Sequence, residues 1–392
     1  MQRRVAQLPL HGGQAPAWLF RRMTRLAGAV TMAVVDARGP EEMLRRLADP
    51  WWFQAFGCVL GFDWHSSGLT TVTCGALKEA AKRLGRDLGI FVAGGKAMEG
   101  RKAPREIMDA ADRHAIAGGE RLVYASRTSA KVDSAAVQDG YAIYHHGFFF
   151  APSGAWCVVQ QGMNAETGWA RRYHWIGESV TDFVCEPHAG IQDAAGRPPD
   201  FASPSPVLNM VAREAEANRQ GSAALVRGNP DALLAEAERL TEGPTLFAPA
   251  HHPVLPADVN LDRLRKIVRT AHERHPQDFV TLLGTEGVGP ATVRSLSLLA
   301  ELIYGAPASH RDPAAPPPNG GAESGCGRRP PEPRARWADY AYAHGGKDGH
   351  PFPVDRETYD RNIAVLLDAV RKARLGDAEK TDALRRLARH AD

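Results

Sequence analysis

The sequence predicts an α+β protein: a mixed α/β part with an antiparallel, strand-rich section, followed by a helical part that contains a helix-hairpin-helix. Three observations predict this class. A helix, a short apolar strand and a glycine turn follow one another before residue 120. Aromatic and β-branched segments, separated by turn residues, continue to about residue 185. Between residues 205 and 305 the apolar residues recur almost throughout at helical spacing.

The first part of the chain contains three candidate helices and a strand. Helices are expected after Pro16, over residues 40–47 and over residues 77–88, and Gly89 fits the C-terminal stop of the third. Residues 90–93 (IFVA) are short, apolar and followed by two glycines. A buried strand is therefore predicted directly after the third helix.

The strand-rich section is predicted from segments of β-branched and aromatic residues. These segments lie at residues 122–125, 140–146, 148–150 and 156–161. Residues 151–154 (APSG) have the composition of a turn between the last two. An antiparallel meander is the expected arrangement.

The remaining chain divides into a helical part and a C-terminal part. Amphipathic helices are predicted over residues 207–219, 231–240 and 258–275, and two terminal helices over 359–373 and 378–390. The segment from residue 307 is dense in Pro, Gly and Arg, which is typical of a flexible, basic tether. We expect a catalytic part at 1–200, a helical domain at 205–306, a linker at 307–335 and a C-terminal motif with helices at 336–392.

Composition narrows the class of protein. Of the 392 residues, 44% are hydrophobic and 24% charged, which excludes wholesale disorder, and the formal net charge is only +3. The five cysteines are scattered without a CxxC pair, which argues against a disulfide framework or a Cys-type zinc site. No apolar run reaches the roughly 18 residues of a membrane span. We therefore expect a cytoplasmic protein with no membrane partner.

Residues 282–304 resemble a helix-hairpin-helix. Gly287-Val288-Gly289 would let the backbone approach a phosphate, and the following helix would point its free N–H groups at that phosphate. Thr292 and Arg294 would add a hydroxyl and a charge. Such contacts hold DNA without reading its sequence, so DNA is the expected partner. The alternative is a helical hairpin used only for packing.

Helix-hairpin-helix DNA glycosylases carry a similar hairpin, followed by a catalytic Asp. In this chain Asp312 follows at a longer interval, and Ala291 stands where the lyase-competent members have a Lys. The resemblance therefore implies a glycosylase-like role for Asp312 alone. The alternative is that Asp312 belongs to the ordinary start of a linker.

Residues 126–146 contain several acidic, basic and histidine side chains of the kinds found in active sites, and we expect them on short strands or the turns between them. If Asp133, Asp139 and His145 converge, their donor atoms could hold Mg²⁺ or Mn²⁺ for phosphodiester hydrolysis. If Lys131 is desolvated, its amine could form a Schiff base with an abasic sugar. The alternative is that Asp133 and Asp139 are ordinary turn residues and that Lys131 is an exposed strand residue.

A second candidate loop contains Asp63 and His65 between apolar segments. His65 could serve as a base or a metal ligand, and Asp63 as its acidic neighbour. The alternative is a capped helix start after a strand.

Several motifs together resemble the DUF763 family, a prokaryotic family without an assigned function. They are residues 8–13 (LPLHGG), 62–68 (FDWHSSG), 130–139 with 144–146, 160–164 (QQGMN) and 343–349 (AHGGKDG). The resemblance covers nearly the whole chain except residues 313–334, which look like an insertion. It implies one working unit but supplies neither a fold nor catalytic residues.

These observations predict a DNA-processing enzyme of the repair type, either a nuclease or an abasic-site lyase. The alternative is a non-catalytic DNA-binding accessory protein that uses the same hairpin. A small-molecule enzyme with an incidental hairpin is a third possibility, and it predicts no salt-dependent affinity for DNA.

Overall fold

An antiparallel sheet lies between two layers of helices. The computed structural model describes residues 7–9, 17–60, 67–192, 207–241, 261–314 and 368. Within these residues, six strands form the sheet in the order β1-β6-β5-β4-β2, with β7 also paired to β6, while β3 and β8 form a separate pair. The strands are β1 (Gln7–Pro9), β2 (Phe91–Lys96), β3 (Val137–Gln138), β4 (Ala142–Phe150), β5 (Trp156–Asn164), β6 (Trp169–Ile176), β7 (Gly190–Gln192) and β8 (Leu208–Asn209).

The helices lie before, between and after the strands. They are α1 (Ala17–Arg38), α2 (Pro40–Ala48), α3 (Pro50–Val59), α4 (Ser67–Leu84), α5 (Ala103–His114), α6 (Gly119–Lys131), α7 (Glu216–Arg227), α8 (Pro230–Thr241), α9 (Leu261–Glu273), α10 (Phe279–Gly284) and α11 (Pro290–Tyr304). A π-helical turn, Val132–Ala136, continues α6 directly.

The two faces of the sheet bury different sets of helices, because successive side chains of a strand point to opposite faces. Phe149 packs in a cluster with α1–α4. Phe148 and Phe150 pack on the other face with α5 and α6. That second cluster also contains Leu225 of α7 and Phe279 of α10. The sheet and the helical part of the chain therefore share one hydrophobic core.

Most predicted elements before residue 120 are confirmed. The helix after Pro16 is α1, and residues 40–47 fall within α2. The third helix is α4, extended by a 3₁₀ turn that ends at Gly89 in the left-handed conformation (φ 79°). The predicted strand is β2, which pairs with β4.

The strand predicted at residues 122–125 is wrong, because this segment lies inside α6. Leu122, Ala125 and Ser129 are buried, whereas Tyr124 and Arg127 are exposed. This spacing follows the period of a helix that buries one face. Arg127 and Lys131 are therefore helical, not on strands or turns.

Two further predictions need correction. Residues 207–219 begin with β8, which pairs with β3, and α7 starts only at Glu216. Residues 307–314, expected as the start of a free tether, are bonded to the folded part. The Asn209 N–H donates to the Ser309 carbonyl (2.8 Å), and Arg171 pairs with Asp312.

Some predictions fall on residues that the structure does not describe. These include the two C-terminal helices, of which Asp368 alone is described, and the loop with Asp63 and His65. Within the described residues, every helix is too short or too polar to cross a membrane.

Candidate active-site cleft

A cleft of about 1470 Å³ lies between α6, the start of β4 and α10. Among the described residues that line it, the cations are Arg101, Arg127, Lys131 and Arg274, and the carboxylate is Glu120. Met98 and Tyr124, also in the lining, are among the most exposed large apolar side chains (63% and 51%). A cationic cleft with apolar surface at its walls suits an anionic ligand.

Lys131 connects this cleft to the turn between α10 and α11. It is the last residue of α6 and half-buried, and its Nζ donates a hydrogen bond to the backbone carbonyl of Val288. Desolvation by burial lowers the pKa of the Lys131 amine below its usual range. The predicted nucleophile and the predicted DNA-binding residues are therefore neighbours, although 157 positions separate them.

The turn between α10 and α11 has a solvent-exposed tip and a buried base. Gly287 is exposed and has φ +86°, the left-handed region that favours glycine. Val288 is fully buried, and its N–H donates to the Thr285 carbonyl (3.2 Å). Gly289 is half-buried and caps α11, whose first residue is Pro290. The exposed part of the turn is thus formed by Gly287 and by Glu286, which carries a carboxylate.

Thr292 is buried in the structure, and Arg294 is partly buried. Thr292 is 5% exposed. Arg294 donates from Nη1 to Oε1 of Gln138 at 2.9 Å, which ties α11 to β3. In the structure both side chains therefore take part in the packing of α11.

The structure does not bring Asp133, Asp139 and His145 together. Asp133 is fully buried in the π-helical turn, where it binds groups from β5, β6 and the segment before β7. Asp139 accepts from Arg171 (2.7 Å) and from the Tyr173 hydroxyl (2.8 Å).

Within the described residues, no group of three or more His, Cys, Asp or Glu side chains is arranged to hold a metal ion. The donor set expected for Mg²⁺ or Mn²⁺ is therefore not assembled by these three residues.

His145 is a buried imidazole in the wall of the cleft. It is 2% exposed, and neither ring nitrogen has a hydrogen-bond partner among the residues that the structure describes. Burial lowers the pKa of His145 to about 3, so the ring is neutral near pH 7. The neighbouring His146 also lines the cleft, and its side chain lies on the face of the sheet that packs against α6.

A hydrogen-bonded chain through His146 was not predicted from the sequence. The Oγ atom of Ser126 lies 2.8 Å from Nε2 of His146, and Nδ1 of His146 lies 3.0 Å from Oε1 of Gln160. All three side chains are buried, and burial lowers the pKa of His146 to about 4. The sequence indicates at most that Ser126 lies on the buried face of α6. Its connection to Gln160 depends on tertiary packing, because Gln160 belongs to another element.

Asp312, the glycosylase-like candidate, is an ion-pair partner. Its two carboxylate oxygens accept from the two terminal nitrogens of Arg171, each at 3.0 Å. In this structure the side chain holds the segment after α11 against the sheet. It does not line the cleft beside Lys131.

Comparison with known proteins gives one match. The model of the family described as "Protein of unknown function (DUF763)" matches residues 4–354 of the chain. No curated protein and no solved structure matches it.

Proposed function

The chain belongs to the DUF763 family of unknown function, and from its cleft we propose that it is a DNA-processing enzyme of the repair type, acting as an abasic-site lyase. The hydrogen bond from Lys131 Nζ to the Val288 carbonyl carries the proposal. It sets an amine with a lowered pKa beside a turn suited to a DNA phosphate. The site of chemistry and the site of binding are then adjacent.

We infer that α10, the turn and α11 form a helix-hairpin-helix that binds the DNA backbone. The exposed Gly287 gives a phosphate close access, and the first turn of α11 directs unpaired N–H groups and its positive dipole end outward. Arg127 and Arg274 in the cleft would contact neighbouring phosphates. Such binding is independent of base sequence.

The chemical step follows from the state of Lys131. In its neutral form the amine can keep one N–H bonded to the Val288 carbonyl while its lone pair attacks C1′ of the open abasic sugar. Loss of water gives a Schiff base, and removal of a C2′ proton then expels the 3′ phosphate. Hydrolysis of the Schiff base returns the free amine.

We favour a lyase over a metal-dependent nuclease because the two candidate carboxylate ligands are already bound to other protein groups. Asp133 and Asp139 are each saturated by protein donors, so binding a cation would require breaking those bonds. Lys131 needs no such rearrangement, since it already lines the cleft.

Borohydride trapping on an oligonucleotide with one abasic site tests the proposal. We expect a covalent protein–DNA adduct with the unaltered protein and none with Lys131→Ala. The matched control is Lys102→Ala, an exposed lysine outside the cleft lining that pairs with Glu99. Undiminished trapping in Lys131→Ala, or no adduct with the unaltered protein, would show that Lys131 is not the lyase nucleophile.

A non-catalytic DNA-binding accessory protein is the second candidate. The hydrogen bond between Lys131 and the Val288 carbonyl also favours this function, because it stabilises the packing of the hairpin against α6. Tight, salt-dependent DNA binding with no strand cleavage, with or without added Mg²⁺ or Mn²⁺, would favour this function.

A further inference from the structure

Ser126, in the wall of the cleft, is the first member of a buried chain of hydrogen bonds that ends at Asp133. Ser126 contacts His146, and His146 contacts Gln160. Gln160 then donates from Nε2 to Oδ2 of Asp133. The order of groups, starting from the cleft, is therefore a hydroxyl, an imidazole, a carboxamide and a carboxylate.

The partners of Gln160 fix the tautomer of His146. The Nε2 of Gln160 donates to the Ser129 carbonyl (3.2 Å) and to Asp133, which are both acceptors, so Oε1 faces His146. An oxygen there requires His146 to carry its proton on Nδ1. The Nε2 lone pair of His146 therefore accepts the proton of the Ser126 hydroxyl, at 2.8 Å. This is the orientation that a general base needs.

Asp133 is held in place from two other sides. Its Oδ2 accepts from Trp175 Nε1 (2.9 Å), and its Oδ1 lies 2.6 Å from Nε2 of His188. Asp133 lies in the π-helical turn that follows α6, and such turns occur frequently at functional sites. Plain packing between α6 and the sheet does not require an interrupted helix with a buried carboxylate.

We propose that Ser126 is a nucleophile, with His146 as its general base, for carboxylic esters that bear a negative charge. Ser126 and His146 both line the cleft, and its cations include Arg127 and Arg274. The apolar walls suit the body of such an ester, and the guanidinium groups suit its charge. This activity goes beyond the proposed lyase and needs neither DNA nor Lys131 as a nucleophile.

The reaction proceeds in two balanced halves. The Ser126 Oγ attacks the ester carbonyl while its proton passes to His146 Nε2. The leaving alkoxide takes that proton as the C–O bond breaks, which leaves an acyl-serine and the free alcohol. A water molecule then repeats the sequence with the same base, releasing the acid and restoring the hydroxyl.

Gln160 acts as a positioning residue in both halves. It accepts the Nδ1–H bond of the imidazolium that forms, and Asp133 polarises its carboxamide from behind. Burial keeps His146 neutral near pH 7 by lowering its pKa, and the hydrogen bond to Gln160 acts in the opposite sense by favouring the protonated ring.

Labelling with a fluorophosphonate tests the nucleophile. Such a probe transfers its phosphonyl group to an activated serine and releases fluoride. We expect a single adduct, located on the peptide with Ser126 by mass spectrometry, and no adduct in Ser126→Ala. Ser134→Ala is the matched control, since Ser134 lines the same cleft but donates to the Lys131 carbonyl.

His146→Gln is expected to slow the labelling about 100-fold, the typical contribution of a general base. Failure to label Ser126 in the unaltered protein would overturn the proposal without requiring any variant to fold. An undiminished labelling rate in folded His146→Gln would also overturn it. Neither result bears on borohydride trapping through Lys131, so the two proposals can fail separately.

The substrate class has its own test. We expect the p-nitrophenyl monoester of a dicarboxylic acid to be hydrolysed with a kcat/KM about tenfold higher than that of a neutral ester of equal length. This preference should fall in Arg127→Ala, Arg274→Ala or both. A preference for the neutral ester would contradict the proposed charge selection.

Discussion

The guanidinium of Arg171 on β6 lies 2.7 Å from the carboxylate of Asp139, and each of these side chains is about 1% exposed. Asp312 binds the same guanidinium from the segment after α11. Charges buried to this extent are tolerated because each has an opposite partner within hydrogen-bond distance. Arg171 therefore joins three parts of the chain that are distant in sequence: β6, the segment between β3 and β4, and the segment after α11.

Removal of Arg171 should destabilise the protein strongly. We expect Arg171→Leu to lower the free energy of unfolding by about 3–5 kcal/mol, because Asp139 would remain buried without its cation. Urea or guanidinium denaturation measures the change. The matched control is Arg45→Ala, whose pair with Glu178 is about half exposed and should contribute much less. Equal losses in both variants would contradict this account.

His145→Leu should change how stability depends on pH. Burial lowers the pKa of His145 to about 3 in the folded protein, whereas in the unfolded chain the imidazole has the ordinary histidine pKa of about 6.5. Between these values the unfolded state binds the extra proton, so stability falls as the pH falls from about 6.5 toward 3. Each pH unit in that window costs about 1.4 kcal/mol for this histidine.

The leucine variant lacks that proton-binding site. At pH 7 it should be about as stable as the unaltered protein, because His145 makes no hydrogen bond to the described part of the chain that the substitution could remove. At pH 5 it should be more stable. Denaturation curves at both pH values measure the difference, and a large loss at pH 7 would mean that the imidazole has a partner beyond the described residues.

Substitutions at two glycines of the α10–α11 turn would separate an effect on folding from an effect on the proposed DNA binding. Gly289 has an extended backbone (φ −142°), and an added methyl group would come no closer than 3.9 Å to the Gly287 carbonyl oxygen. We expect Gly289→Ala to fold normally but to bind DNA about tenfold more weakly, because the methyl group obstructs the phosphate. Fluorescence anisotropy over a range of salt concentrations measures this loss.

Gly287→Ala is the contrasting variant. Its positive φ strains any side chain, and the new methyl group would lie 3.2 Å from Ile267 Cγ1. A loss of stability is therefore expected in addition to weaker binding. If folded Gly289→Ala binds DNA as tightly as the unaltered protein, the turn is not the DNA-binding surface.

The fold was predictable where local signals agree with tertiary packing. Pro40 begins α2, and the left-handed Gly89 ends the 3₁₀ turn that extends α4. The β-branched and aromatic segments on either side of residues 151–154 belong to β4 and β5. The prediction failed at α6, where Val123 and Tyr124 suggested a strand. The four-residue window was too short to show that Leu122, Ala125 and Ser129 share one helical face.

The site was predictable only in part, because its residues are distant in sequence. Lys131 could be named from its surroundings, but its contact with Val288 depends on how α6 packs against the turn. Ser126 and Gln160 belong to a helix and a strand, and only the placement of α6 on the sheet joins them through His146. No local pattern encodes such a contact.

The shared core has a practical consequence for anyone who divides this chain. Phe148 and Trp175 of the sheet pack in the same cluster as Leu225 and Phe279 of the later helices. A fragment that ends near residue 200 would lack α10 and α11, which pack against α6 and the π-helical turn, and would expose buried apolar side chains such as Val132, which favours aggregation. Expression trials should therefore keep the sheet and helices α7–α11 in a single polypeptide.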